Sequence, residues 1–425
     1  MGKRINFIAL TVLVLLSVLL AENYTELSSS IDSGDTAWML VASALVLLMT
    51  PGLSFFYGGM VNKKSIISTM LQSFIALGVI SVLWIVVGFS LAFGDSLGGF
   101  IGNPLTYFNF RGVGAEPNPE FAATIPFLLF AMFQLKFAII TPALITGSLA
   151  ERVRFRSYIL FMVLFSLFIY SPLAHMTWHP DGLFRQWGIL DFAGGTVVHM
   201  SAGFAALAGA VFLGKRKKNT EVPANVPYVI LGTGLLWFGW FGFNAGSALG
   251  ANTDAVIAFA NTNVASATAM ITWVFYERMV GRKMSAIGAC IGAVVGLVAI
   301  TPAAGFVNIG QSIFIGFVAS LVSNWAIRLR TKSNLDDTLD VFPSHGVGGM
   351  VGMILTAVFA AEVGLVYGNT TTLLYHVLAL FLVSIFTFFG SWLLYKFVDI
   401  VIPMRVRYDQ EDRGLDISQH GEQML

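Results

Sequence analysis

Two histidines stand alone in apolar, glycine-rich runs: Asp191-Phe-Ala-Gly-Gly-Thr-Val-Val-His199 and Asp340-Val-Phe-Pro-Ser-His345-Gly-Val-Gly-Gly. A neutral imidazole both donates and accepts, so two of them in a pore could relay a proton or hold a small polar molecule. The blander reading is two buried rings, each bonded to a nearby carbonyl. No third or fourth ligand accompanies them, so no metal set is formed. Asp191 opens its run, where a carboxylate caps free amides and favours the helix dipole; a buried charge there could also steady a bound cation. Trp178, in Ala174-His175-Met176-Thr177-Trp178-His179, reads either as an interfacial belt residue or as one wall of a cation site. His175 and His179 are expected at the interface. Phe133, Gln134 and Phe137 share Phe-Gln-Leu-Lys-Phe, while Phe243 and Ser247 share Trp-Phe-Gly-Phe-Asn-Ala-Gly-Ser; with 37 phenylalanines in the chain, packing is the commoner role for any one ring. Lys136, about 100° around a helix from Phe137, calls for a carboxylate or for snorkelling. Nowhere do a nucleophile, a base and an orienting group occur together, which argues against an enzyme.

The elements that must position these groups are membrane helices. Of 425 residues, 56% are hydrophobic and 11% charged, against about 25% charged in soluble domains. At roughly 20 apolar residues per crossing, eleven spans can be drawn: 36–61, 66–93, 121–149, 154–175, 192–214, 227–248, 254–278, 284–304, 308–330, 341–361 and 372–402. The chain is therefore read as an all-α polytopic membrane protein. A net charge of +1 offers no face to nucleic acid. The single cysteine, Cys290, excludes an intramolecular disulfide and a cysteine metal cluster; it reads as packing, and no cofactor is implied. Lys3, Arg4 and the apolar run Phe7 to Leu20 have the layout of a signal peptide over residues 1–21, with a retained first helix as the alternative. Residues 22–402 then form the transmembrane domain and 403–425 a tail.

Charge orients the spans. One set of loops, with the tail, holds eighteen Lys and Arg; the other set holds only Arg111 and Arg185. By the positive-inside rule the mature N-terminus lies outside and the C-terminus in the cytoplasm. Spans five and ten each open with an aspartate, glycines and a histidine. Two five-helix halves must have opposite topology, which suggests a five-plus-five inverted repeat with functional groups at its interface. Span eleven is left over, long enough to lie tilted along the rest. Counted from the span ends, His199 lies ~11 Å and His345 ~8 Å deep from opposite faces, leaving a gap of roughly 10 Å. Spacing alone leaves their contact open.

At these residues the sequence resembles the ammonium transporter family, which is related to the Rh proteins. The likeness runs from about Asp35 to the C-terminus and includes Phe55-Phe-Tyr-Gly-Gly, Gly147-Ser-Leu-Ala-Glu-Arg-Val-Arg-Phe155, the Asp191–His199 run and Trp240 through Ser247. The resemblance implies eleven helices, a homotrimer and one narrow hydrophobic pore per subunit, in a cell membrane (the inner one, in a bacterial-type protein), serving nitrogen utilisation. It implies an outer ammonium site of Trp178, Ser247 and Phe137 with Asp191 behind it. Phe137 and Phe243 would be the stacked gate, Phe133 a supporting wall, and His199 and His345 the twin histidines beneath. Ammonium or ammonia would be the substrate, with methylammonium as an analogue. The tail Arg413-Gly-Leu-Asp-Ile-Ser-Gln-His420-Gly-Glu looks like the family's regulatory C-terminus, and relatives meet PII-type regulators at this face. Lys136 departs from the family, where small or apolar residues are usual. A passive gas channel and an ammonium sensor signalling through its tail are the competing readings.

Overall fold

A computed structural model describes residues 11, 12, 14, 15, 30–217 and 222–424. The signal-peptide expectation for residues 1–21 falls, but for those four residues, outside them. Among the described residues eleven helices are long and apolar enough to cross a membrane: α1 (Ser33–Met60), α2 (Lys63–Phe93), α3 (Phe127–Leu149), α4 (Phe155–Gln186), α5 (Gly195–Leu213), α6 (Val226–Ala248), α7 (Thr253–Met279), α8 (Ala286–Ala303), α9 (Ile309–Lys332), α10 (Phe342–Phe359) and α11 (Thr370–Val401). The chain is an all-helical, multi-pass membrane protein.

Local chemistry sets where the spans begin. The side chains of Asp32, Asn225, Asn252, Ser285, Asn308 and Asn369 each accept from an amide in the first turn of α1, α6, α7, α8, α9 and α11. Polar N-caps satisfy donors that lipid could not. The start of α3 is a correction: the apolar run begins at residue 121, yet the helix begins at Phe127. Pro126 precedes it in an extended conformation, and a proline disfavours helix in the residue before it. Residues 118 and 122 are instead bridged in a loop.

Helices α1 and α6 pack along one another, α7, α8 and α9 form a second group, and α11 runs across α4, α5 and α10. Helices α5 and α10 cross in the interior. At the crossing a Cβ on Gly203 would collide with the Gly346 backbone nitrogen, so the two backbones touch, as small residues permit in a membrane. Both helices open with a π-helical segment, Gly195–Met200 and Phe342–Val347. His199 and His345 each lie within one.

The segment between α2 and α3 covers the face expected to be outside, called outer below. It carries a short hairpin, Ser96–Leu97 paired with Ile101–Gly102. This cover overturns the interfacial placement of His175 and His179. Both are buried, their rings stack at 4.3 Å, and His175 bonds the Ala92 carbonyl at 3.0 Å and the Ser96 hydroxyl at 2.8 Å.

Candidate functional site: an outer vestibule above a histidine pair

Asp191 lies in the turn before α5 and is 7% exposed. Its Oδ1 accepts from the amides of Gly194 (2.8 Å) and Gly195 (2.6 Å), and its Oδ2 from the amide (2.7 Å) and hydroxyl (2.5 Å) of Thr196. Gly194 has φ +113°, a conformation that L side chains rarely adopt. Capping is therefore the geometry of Asp191, and its negative charge is held in place beneath the outer face. The Asp191 carbonyl in turn accepts from Trp178 Nε1 at 3.2 Å, which fixes the indole.

Around this turn lies a vestibule of about 500 Å³ whose lining includes Gln134, Phe137, Trp178, Asp191, Phe192 and Ser247. Trp178 meets Phe137 edge-on, with centroids 5.8 Å apart. The Ser247 hydroxyl donates to the Phe243 carbonyl at 2.9 Å, which leaves its oxygen free to accept. Glu120 and Arg185 also line the opening. Trp178 is thus a vestibule wall and not an isolated belt residue.

The vestibule ends at Phe137. Its ring lies 4.2 Å from that of Phe243 at 31°, and Phe133 packs against it at 5.0 Å. Both rings are buried. Beneath Phe243 comes His199, at 6.0 Å between centroids, and then His345. The histidine Nδ1 atoms are 3.3 Å apart, so the expected gap of roughly 10 Å is overturned. Depth counted from span ends assumes that helices begin at the membrane surface. Here buried capping turns start α5 and α10 inside the protein.

A second correction concerns the aspartate of the α10 turn. Asp337, not Asp340, caps that helix: its carboxylate accepts from the amides of Val341 (3.1 Å) and Phe342 (2.8 Å). Asp340 instead pairs with Arg330 at 2.7 Å. Asp191 precedes His199 by eight residues, and Asp337 precedes His345 by the same eight. The equal spacing was there to be read.

Hydrogen bonding assigns the histidine protons. Thr301 Oγ1 donates to the Leu297 carbonyl at 2.8 Å and receives the Trp240 indole N–H at 2.9 Å. Its hydrogen is used, so His199 Nε2, at 3.3 Å, must donate to it. His199 Nδ1 is then the acceptor, His345 Nδ1 carries the shared hydrogen, and His345 Nε2 is left with a lone pair. Trp240 also stacks on His199 at 5.3 Å and 20°. Thr301 had not been singled out from the sequence, because one threonine in an apolar span carries no local signal, and Trp240 had been quoted only as the first residue of its run. Gln134, whose Oε1 is buried without a partner among the described residues, had been noted only as part of its run.

The described residues contain no group of three or more His, Cys, Asp or Glu able to hold a metal. Lys136 is buried on α3 and lines a groove between α1 and α3.

At the opposite face, Arg216 joins Glu151 (3.0 Å) and Asp336 (2.9 Å), and Arg152 reaches the Asp336 carbonyl and the Thr338 hydroxyl. Burial pulls the Arg152 guanidinium down to about 10, still charged at neutral pH. The tail docks beside this network. Asp416 Oδ1 accepts from the Ser68 amide at 2.7 Å, and His420 Nε2 lies 3.2 Å from the Ser68 hydroxyl.

An eleven-span helical protein with an aromatic vestibule, a phenyl constriction and paired buried imidazoles has the architecture of a channel or carrier for a small polar solute. Residues 37–425 match the model of the Ammonium Transporter Family, and the chain belongs to that family. It is similar to an ammonium transporter of Aquifex aeolicus, 47% identical over 96% of this chain and 97% of that one. Among solved structures it is similar to Mep2 of Candida albicans, with TM-score 0.85 and 33% identity over 91% of this chain and 89% of that one. It is also similar to one named a sensor Amt protein, with TM-score 0.84 and 28% identity over 91% and 98%.

Proposed function

We propose that this protein captures ammonium in the outer vestibule, removes its proton near the gate and passes ammonia along His199 and His345 towards the cytoplasm. The observation that carries the reading is the unbroken sequence of Trp178, Phe137, Phe243, His199 and His345, each ring within 6 Å of the next. Ammonium matches potassium in size and charge but has directional donors and a removable proton. The Trp178 face and the Ser247 oxygen use the first difference. Asp191 adds negative charge behind them without leaving its capping bonds. The buried phenyl gate uses the second, since a desolvated cation is penalised far more than neutral ammonia. The bonded imidazole pair then supplies a route for the proton.

The equal Asp-to-His spacing and the matching π-helical starts of α5 and α10 support the inverted repeat. On this reading the protein is a homotrimer of the cell membrane with its C-terminus in the cytoplasm, where the tail face is available to a PII-type regulator. A sensor is the second reading, favoured by the similarity to a sensor Amt protein and by the docked tail. Deleting residues 408–425 distinguishes the two: a sensor loses its nitrogen response and keeps uptake.

The direct test is current from liposomes on a solid-supported membrane, after an ammonium jump and then an equal potassium jump. An ammonium-only current, lost in a His199→Ala/His345→Ala variant, is the expected result. Rapid internal alkalinisation without current would replace the proton step with a gas channel. Ammonium binding with neither signal would favour the sensor.

A further inference from the structure

Lys136 is a cationic side chain inside a span that the pore does not use. It is 9% exposed and has no hydrogen-bond or ion-pair partner among the described residues. It lines a groove of about 690 Å³ between α1 and α3, whose other walls include Leu40, Leu47, Leu129 and Met132. At the top of the groove Thr36 Oγ1 is also buried without a partner among the described residues. A lone ammonium at this depth is costly in lipid and calls for an oxygen acceptor.

The complementary anomaly is on the surface. Asn263 of α7 is exposed, and among the described residues it is the one exposed hydrogen-bonding side chain more than two turns inside both ends of a span. It continues the stripe Asn252, Val256 and Phe259, spaced by four, three and four residues on one helix face. Both α3 and α7 are odd-numbered spans and start from the same face. One carboxylate ties their starts to the same level, since Asp35 accepts from the Thr124 hydroxyl before α3 at 2.6 Å and from the Ala251 amide before α7 at 2.8 Å. Lys136 then lies nine residues into α3 and Asn263 ten into α7, which are depths of ~14 Å and ~15 Å.

We propose that the groove is filled by a second copy of this chain, whose Asn263 carbonyl accepts from the Lys136 ammonium. Copies related by rotation about the membrane normal keep every residue at its own depth, so the two groups arrive level. Because the donor and acceptor lie on different helices, the contact is head-to-tail and repeats around a closed ring. The charge-assisted bond satisfies a cation and an amide that lipid would leave unpaired. No aspartate or glutamate occurs at this depth on an exposed span face among the described residues, which leaves the amide as the acceptor a second copy can offer. The inference rests on the homo-oligomer proposed above and assigns its contact.

The test uses two differently tagged copies in a Cys290→Ala background, one carrying Lys136→Cys and the other Asn263→Cys, co-expressed and treated in membranes with a short bis-maleimide. A covalent band bearing both tags, absent when either cysteine is omitted, is expected. Loss of that band while light scattering still shows an oligomer would overturn the contact and keep the oligomer; a monomer by light scattering would overturn both. As a second measurement, Lys136→Met and Asn263→Leu should each reduce several-fold the oligomer surviving mild heating in detergent. The double variant should recover it, because both polar groups are gone. A lysine serving only its own subunit would not be rescued from residue 263. Retention of an anionic lipid that depends on Lys136 alone, by native mass spectrometry, would give the groove to lipid and overturn the proposal.

Discussion

The turns that begin α5 and α10 are built alike and surrounded differently. Each places an aspartate eight residues before a histidine, starts its helix inside the protein and opens it with a π-helical segment. The Asp191 turn faces an aromatic vestibule with one serine oxygen free. The Asp337 turn is packed beneath ion pairs, with Arg330 on Asp340 and Arg216 on Asp336 and Glu151. One local device thus sits in two settings, an open aromatic mouth and a braced floor. The comparison separates what holds the histidines in place from what lines the approach to them.

The largest effect should come from the caps themselves. Asp191 accepts four hydrogen bonds, and Asp337 accepts two from the amides of its helix start. Replacing a capping residue by alanine costs about 0.5–2 kcal/mol, and stranding buried donors adds to this. Asp191→Ala should therefore cost about 2 kcal/mol or more and Asp337→Ala about 1 kcal/mol, read as the loss of apparent Tm in detergent. Equal losses, or the reverse order, would mean that the two turns are not held by their caps.

A smaller effect is expected from the vestibule walls. An aromatic face is worth ~0.5–2 kcal/mol to a cation, so Trp178→Leu should weaken half-saturation by ammonium by about tenfold. Ser247→Ala removes one neutral acceptor, worth about 1 kcal/mol, and should cost only a few-fold. Neither should change the Tm by as much as Asp191→Ala does. Currents across an ammonium concentration series give both numbers. An unchanged half-saturation in Trp178→Leu would remove the outer site from the mechanism.

These outcomes bear on how far the sequence could be read. The spans were legible because lipid requires apolar runs of fixed length, and each helix start other than that of α3 lies within three residues of its expected place. Most of the proposed pore residues lay in motifs that could be quoted directly. What spacing could not deliver was contact. Depth arithmetic kept His199 and His345 apart because a sunken capping turn looks, in sequence, like any loop. The repeat was drawn through Asp340, the aspartate nearest to the apolar run, whereas Asp337 is the one that accepts from the first amides of α10. His175 and His179 were placed in interfacial water because nothing in their own span announces that a segment 50 to 80 residues earlier covers them.

The smallest expected effect tests whether the braced side extends to the tail. His420 lies over the Phe155 ring at 5.0 Å and beside Ser68. Burial lowers its pKa from the ordinary 6.5, although Asp416 and Glu422 pull the other way. A base whose pKa is lowered by docking disfavours the docked form once the pH falls below the value of the free tail, so docking weakens on acidification through 6.5 and levels off below the lowered pKa. Asp416, which burial raises from 3.8, has the opposite slope: its docking is strongest in acid and weakens as pH rises through the raised value. Going from about pH 7.5 to about pH 5.5, hydrogen exchange over residues 408–424, taken relative to the intrinsic amide rate at each pH, should rise by a few-fold, while exchange in the Asp191 turn, referred in the same way, stays level. His420→Asn should abolish the rise and leave the exchange at neutral pH close to that of the parent. A rise that persists in His420→Asn would assign the acid response to the carboxylates of the network and not to the tail, and the floor would then be the part of the comparison that titrates.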